Sequence, residues 1–502
     1  MLVVKLQPEL ERNYKAWILT LIPAPALILV FLWFILLSRF RWRTRLLTAA
    51  GVAMTVFVLT RLLRADGSIS GTGLPRLTWK WAAKRSGVVN SNFQPAPASP
   101  VLSGKDISDV PQFFGPNREG VAAPAHLDRD WNAIPPKLLW RQPVGLGWSA
   151  FAVAGGRAFT QEQRGDDELV TCYELLSGRL LWASTNHVRF KEWQGGDGPR
   201  ATPTVDHGRV FAMGGTGILD SLDAATGKHL WSHDVVKEVG QANLNWGMSC
   251  SPLVFDDKVV VTGGRSNKAT VIAYAWKTGE LLWKSGIEMA SYASPILTTL
   301  LGKRIILSLN GVNLTAHDPA SGKELLRYPF AQEKYPKASQ PVVAAGDRVF
   351  LSAGYGAGCV LLQITAASDG TLKATELWKS LSMKTQFNSV ACRDGFLYGL
   401  DDGLLACVDI ATGKRKWKDG RYGSGQTLLV DDLILIQSES GAVALALATP
   451  ERYQELSRFQ ALNSKTWNHP VLAGHYLLVR NDQECACYEL PRQTQPNAAA
   501  GD

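Results

Sequence analysis

The chain has 502 residues, 46% hydrophobic and 19% charged, a composition that supports a large buried core and excludes global disorder. Its net charge of +9 is concentrated at one end, because residues 1–64 hold nine Lys/Arg against two Glu, a net of +7. The other 438 residues share +2, too little for a nucleic-acid-binding face, so no nucleic-acid partner is expected.

Residues 16–37 (AWILTLIPAPALILVFLWFILL) are 22 uncharged, mostly apolar positions, enough for a helix to span ~30 Å of hydrocarbon. Pro23 and Pro25 predict a kink that a membrane helix tolerates. A second helix is expected over 46–63, its apolar run 46–60 lengthened if Arg61 snorkels. The loop 38–45 between them carries four arginines, and short Arg-rich loops stay cytoplasmic. A hairpin of this kind puts both termini across the membrane, which in a bacterium places the main domain on the periplasmic side of the inner membrane. Two alternatives remain open here. A signal peptide could be cleaved, although residues 38–41 (SRFR) are no small-residue cleavage site. If the second run does not span, the domain is cytoplasmic.

Residues 1–64 therefore read as a membrane anchor. Residues 65–110, with GSISGTG and PAPASP, read as a flexible linker. Within the linker, 75–85 (PRLTWKWAAKR) is a solvated stretch or a short interfacial segment.

From residue 111 to 490 the chain repeats itself. Residues 222–231 read LDAATGKHLW, 173–182 YELLSGRLLW, 274–283 YAWKTGELLW, 317–327 HDPASGKELLR and 408–417 VDIATGKRKW. The acidic side chain and the Thr or Ser can accept from backbone N–H groups in a tight turn whose Gly supplies a positive φ. Each copy is thus the last hairpin of a small antiparallel sheet, and its tryptophan is expected to wedge against the neighbouring copy. Strand-only units at a period of ~44 residues predict an all-β, eight-bladed β-propeller behind an N-terminal transmembrane anchor, with seven blades as the alternative. The units are 148–182, 199–231, 248–283, 292–326, 339–378, 387–417, 426–456 and 467–490. Residues 138–144 (LLWRQPV) match the LLW that ends other copies and are expected to supply the outer strand of the eighth blade. Residues 491–502 read as a disordered tail, and the propeller as monomeric.

The pattern D-x-x-T-G-x-x-x-W resembles the PQQ-like repeat of quinoprotein alcohol and glucose dehydrogenases and of the assembly lipoprotein BamB, over roughly residues 111–490. Residues 111–120 (PQFFGPNREG) resemble the lead-in of bacterial propellers of this kind. For the dehydrogenases the resemblance implies pyrroloquinoline quinone (PQQ) over a Ca²⁺ ion and an aspartate base. The alcohol dehydrogenases add an adjacent Cys-Cys lid, which this chain lacks. The membrane glucose dehydrogenases have more spans and longer insertions. No residue matches a catalytic motif, and no catalytic or metal residue is assigned.

The seven cysteines, odd in number and without C-x-x-C, read as buried structural residues. Polar residues near the starts of the inner strands form the candidate ligand ring at one mouth of the channel: Arg200, Asn245, Trp246, Tyr292, Gln340, Lys384, Asn388, Gln426, Trp467 and Asn468, with Ser339 and His469 beside them. Carboxylates lie on 161–166 and 398–403, where Asp401-Asp402 reads as a turn. Such a ring suits a polar ligand or peptide, or else hydrates the channel and bonds its backbone. Two functions follow. One is a non-catalytic membrane-tethered scaffold with protein partners on the propeller face, its tether differing from BamB's in lacking a lipobox-type cysteine. The other is a PQQ/Ca²⁺-dependent dehydrogenase or binder of a small polar ligand.

Overall fold

The computed structural model describes residues 11–69, 71, 73–82, 107–240, 242–265 and 269–493, which fall into two compact units. The first comprises residues 11–82 together with 192–196, and the second the remainder.

In the first unit the expected span at 16–37 is broken into α1 (Arg12–Leu21) and α2 (Pro23–Leu36), with the break at Ile22 where Pro23 removes a backbone donor. The second helix, α3 (Trp42–Leu62), begins four residues earlier than the apolar run. Tyr14–Leu36 and Trp42–Leu62 are 23 and 21 residues long, both apolar and long enough to cross a membrane. Between them Arg45 turns back onto the carbonyls that end α2, donating to Ile35 O at 3.3 Å and to Ser38 O, which satisfies a helix C-terminus with a cation. Directly after α3 the chain forms an antiparallel hairpin, β1 (Leu63–Ser68) with β2 (Pro75–Trp79), where a flexible linker was expected. The rest of that expected linker, from 83 to 106, lies outside the described residues, as does 494–502 of the expected tail. Residues 491–493 are strapped to the fold: Asp128 N–H donates to Pro491 O and Gln493 N–H to His126 O, both at 2.8 Å.

The second unit is an eight-bladed propeller, each blade a four-stranded antiparallel sheet. Seven blades run in simple order from inner to outer strand, over residues 152–186, 204–234, 253–285, 296–329, 342–380, 391–421 and 426–460. The eighth takes its three inner strands from 471–489 and its outer strand from β3 (Lys137–Pro143), which pairs with Glu484–Glu489. As 138–144 foretold, the two ends of the propeller sequence share one sheet, so the ring has no open edge.

What joins blade to blade is the repeated turn. Asp223 Oδ1 accepts from Ala225 N–H, Thr226 N–H and the Thr226 hydroxyl at 2.7–3.1 Å, and Asp318 does the same for Ala320 and Ser321. The turn glycine then meets the tryptophan of the preceding blade. A Cβ on Gly178, Gly227, Gly279, Gly322 or Gly413 would lie 2.5–2.9 Å from the indole of Trp140, Trp182, Trp231, Trp283 or Trp378 respectively. The indole N–H also crosses the seam: Trp140 donates to Leu175 O, Trp182 to Ala224 O, Trp231 to Trp276 O, Trp378 to Ile410 O and Trp417 to Thr449 O, at 2.8–3.2 Å. The wedge is thus an indole seated on a bare backbone. Around it the core is built between blades, as where Phe159, Cys172 and Trp182 pack on Val210, Ala212 and Leu222. Six of the seven free cysteines are buried in such layers and the seventh, Cys392, is half-buried.

Gly227→Ala forces a side chain onto a φ of +73° and against the Trp182 ring. It is expected to lower unfolding free energy by about 2–4 kcal/mol, combining backbone strain and overpacking. Asp223→Ala, which leaves the seam intact, should cost about 1 kcal/mol. Denaturant midpoints of the two variants compared with the parent check the order.

Candidate functional site

The antiparallel order gives the channel two distinct ends. One, the mouth, carries the loops that link each outer strand to the next inner strand. The other, the base, carries the turns between first and second strands and the Thr-Gly turns. The base is filled by the chain's own lead-in. Val110 bridges Val153 of the first blade, Pro111 O accepts from Val205 N–H of the second, and Val121 bridges Leu429 of the seventh. Asp431 then accepts from Ala125 and His126 N–H, and Trp131 N–H donates to Ser457 Oγ. At the centre of this crossing Arg118, 3% exposed, donates to Ser251 O and Pro295 O at 3.0–3.1 Å and to Pro252 O, tying the third and fourth blades to the lead-in. Burial draws its pKa down to about 10, which leaves it cationic at neutral pH. Phe114 and Arg118 both sit at positive φ (67° and 60°), and a Cβ on Gly120 would run into the Phe114 ring. Strain of this kind persists only where the surroundings over-determine it. The sequence FFGPNREG is shaped for this crossing.

At the start of the inner strands a belt of hydrogen bonds runs from blade to blade. Ala150 N–H donates to Thr202 Oγ1, Thr202 N–H to Ser251 Oγ, Ser251 N–H to Ser294 Oγ and Gln340 N–H to Ser389 Oγ, at 2.9–3.3 Å. The Gln340 carboxamide fills the gap by pairing with the backbone N–H and carbonyl of Ser294. Gln426 Nε2 donates to Phe387 O and Trp467 O, and Asn468 Nδ2 to Ser149 O at 2.7 Å, which closes the belt. Of the expected ring, then, Gln340, Gln426 and Asn468 are buried in inter-blade bonds, and Asn388 Nδ2 is given to Leu400 O. Lys384 is buried against Asp401 at 3.0 Å. Ser339 is buried with no partner for its hydroxyl. His469 lies against Phe113 and Phe114, and burial pulls its pKa down to about 4 although carbonyls of Pro470 and Thr427 oppose it, so it is neutral.

The members that reach the mouth are Arg200, Asn245, Trp246, Tyr292 and the edge of Trp467. Trp246 meets Tyr292 edge-on at 5.5 Å, Arg200 lies 4.7 Å over the Phe190 ring, and Asn245 Oδ1 accepts from Arg265. The structure adds three residues that the sequence reading missed. Trp467 packs on Trp148 (4.9 Å) and Phe387 (4.8 Å), and Lys465 Nζ sits 3.9 Å over its ring. Trp148, Arg200, Tyr292, Phe387 and Trp467 hold one position of the repeat, three residues before the Pro, or its equivalent, that opens each inner strand. That alignment was the available signal.

Two buried carboxylates at the mouth end are matched by cations. Asp401 takes Lys384, Arg415 and Lys418 at 2.7–3.1 Å. Glu162 takes Arg164, the Tyr173 hydroxyl and Gly145 N–H. Burial alone would raise the Glu162 pKa, but the charges of Arg164 and Arg480 and these bonds outweigh it and hold it below the usual value. Arg480, fully buried, bonds Thr160 Oγ1, Gln161 O and Gly145 O across the seam between the last and first blades. Among the described residues no group of three or more His, Cys, Asp or Glu side chains could hold a metal ion. A Ca²⁺–PQQ centre needs several converging oxygen donors, and this donor set does not fit one.

Glu168 differs from Asp401 and Glu162. It is buried with Oε1 unpartnered, and burial, with help from the Asp220 charge and opposed by Gly215 N–H and Arg200, raises its pKa to about 7. A carboxyl raised on folding binds its proton more tightly in the native state, so stability falls as pH climbs from ~4.5 to ~7 and stays lower above. Glu168→Gln removes that dependence. The variant should match the parent near pH 4 and exceed it by about 2–3 kcal/mol at pH 8, read from denaturation at the two pH values.

With this geometry in view, residues 166–419 match the protein family described as outer membrane protein assembly factor BamB. The chain is 27% identical over 251 residues to BamB of Moranella endobia (strain PCIT), covering 46% of this chain and 60% of that protein. It is 24% identical over 380 residues to BamB of Burkholderia pseudomallei (strain K96243), covering 72% and 92%. In fold it is similar to the crystal structure of BamB from Moraxella catarrhalis, with TM-score 0.53 at 14% identity over 71% of this chain and all of that one. It is equally similar to quinohemoprotein alcohol dehydrogenase from Comamonas testosteroni, with TM-score 0.56 at 12% identity over 77% and 81%, a likeness of fold alone. The seated tryptophans, the closing strand and the matched span agree: this chain belongs to the BamB family of PQQ-like β-propellers.

Proposed function

We propose that this protein is a non-catalytic, membrane-tethered scaffold that holds protein partners at the mouth of its propeller on the periplasmic side of the bacterial inner membrane. One observation carries the reading. The lead-in fills the base of the channel and the belt consumes most of the polar ring, so the mouth presents the half-exposed Trp148, Arg200, Trp246, Tyr292, Phe387 and Lys465 beside the exposed Asn245. Trp, Tyr and Arg are the residues that dominate protein–protein binding energy, because they bury large area at small entropic cost. The relatives named as assembly factors lend the same direction to this chain. The likeness to dehydrogenases is one of fold alone, and near the mouth Asp401 and Glu162 are spent on cations while burial raises the Glu168 pKa, so that likeness adds no support for dehydrogenase chemistry here.

The four arginines of 38–45 favour a cytoplasmic loop, and with it a periplasmic C-terminus. Alkaline phosphatase fused after residue 502 should therefore be active, and an inactive fusion made at normal level would reverse the topology. A photoreactive residue at Phe387 should capture an envelope protein, with Trp246→Ala lowering the yield about tenfold while the unfolding midpoint stays put. Saturable fluorescence quenching by PQQ with Ca²⁺, accompanied by dye reduction with an alcohol or sugar, would instead make the protein an enzyme.

A further inference from the structure

The β1–β2 hairpin of the first unit is inside out. Its register sets Leu63 opposite Trp79 and Ala65 opposite Leu77, so these four side chains share one face. Three of the four point outward: Ala65 is exposed, Leu77 is 59% and Trp79 47% exposed, while Leu63 at the helix junction is half-buried, and Trp81 just beyond is 68% exposed and stacked on Trp79 at 4.8 Å. The alternate residues Arg64, Arg76 and Thr78 are half-buried. The polar edge of the hairpin is bonded within the same unit, where Ser68 Oγ donates to Gln194 O and Gln194 Nε2 to Gly71 O. A two-stranded sheet facing water would show the opposite pattern, and on its own would be marginal.

The hairpin is also fixed to the end of a membrane-length helix. β1 follows Leu62 without a gap, Lys80 N–H donates to Leu62 O and Lys80 Nζ to Thr60 O, both at 2.9 Å. Trp79 and Trp81 therefore flank the last turn of α3, among Arg61, Arg64 and Lys80. Tryptophan and basic side chains collect at the level where hydrocarbon gives way to lipid headgroups.

We propose that this hairpin is an interfacial lipid-binding element. Its apolar face rests on the acyl boundary of the membrane that α3 crosses, the Trp79 and Trp81 indoles sit at headgroup level, and Arg61 and Lys80 meet lipid phosphates. The occupant of the face is lipid, by continuity with the helix. The anchor thus ends in a shoulder laid along the bilayer surface. This rests on the reading of α1 to α3 as membrane segments.

The test uses the full chain in vesicles of phosphatidylcholine and phosphatidylglycerol with brominated acyl chains. Trp79→Phe with Trp81→Phe keeps the face apolar and removes only the fluorophores. The emission lost relative to the parent should be blue-shifted, quenched by the brominated lipid and insensitive to aqueous iodide. Lost emission that iodide quenches, or that neither agent quenches, overturns the proposal. Trp33→Phe in α2, whose Trp33 is 56% exposed, reports the helices separately. If it removes a lipid-quenched component while the hairpin pair does not, the hairpin proposal alone fails. If it removes none, the membrane reading fails and the hairpin proposal falls with it.

Discussion

The propeller depends on one contact repeated around a circle, the indole of one blade lying on the glycine of the next. A four-stranded sheet of some 30 residues cannot bury both faces by itself, and most hydrophobic layers here lie between blades rather than within them. The Gly–Trp seat sets the spacing of those layers. A Cβ would push the blades apart, and a smaller aromatic would lose the N–H bond that crosses five of the seams. Where the repeat decays, other devices take over. The fourth blade offers Leu326 in place of the tryptophan, and the last and first blades are pinned by Trp140 on the closing strand and by the buried Arg480.

Ring closure has a consequence for function. Eight inner strands converge on a narrow channel, where every backbone group and short polar side chain must find a partner away from bulk water. The hydroxyls and amides of Thr202, Ser251, Ser294, Gln340 and Gln426 meet that need across the seams. Groups that look, in a sequence, like a converging ligand set are therefore largely spent on holding the ring. The lead-in completes this at the base, where Arg118 serves carbonyls of two blades at once. What the fold leaves half-exposed at the mouth is an aromatic and cationic rim. Such a rim supports the proposed scaffold role.

The two units solve opposite solvation problems. In the propeller some charges at the mouth end are buried in compensated clusters, as is Asp401 with its three cations. In the first unit the apolar side chains face outward, along the two membrane-length stretches and on the hairpin that follows. The excess positive charge read from residues 1–64 belongs to this unit, and part of it is spent internally, as where Arg45 caps the end of α2.

The sequence by itself determined the propeller, its eight blades and the strand that closes it. Those features rest on local chemistry: an acid, a hydroxyl and a glycine within a few residues make the turn, and a tryptophan four residues on marks the seam. The two apolar runs were equally plain, because length and composition suffice to define them. Only the tertiary structure decided which polar residues are free. Asn468 bonds Ser149 and Arg480 bonds Gly145 from more than 300 residues away, and no local pattern reports such partners. The same holds for Trp148 and Phe387, whose place at the mouth appears only once the inner strands are aligned in space. The hairpin after α3 escaped notice because Gly and Ser between its strands read as linker, while the alternation of Pro75, Leu77 and Trp79 spans just five residues. A pattern that short gains meaning only when its apolar face is seen to point outward.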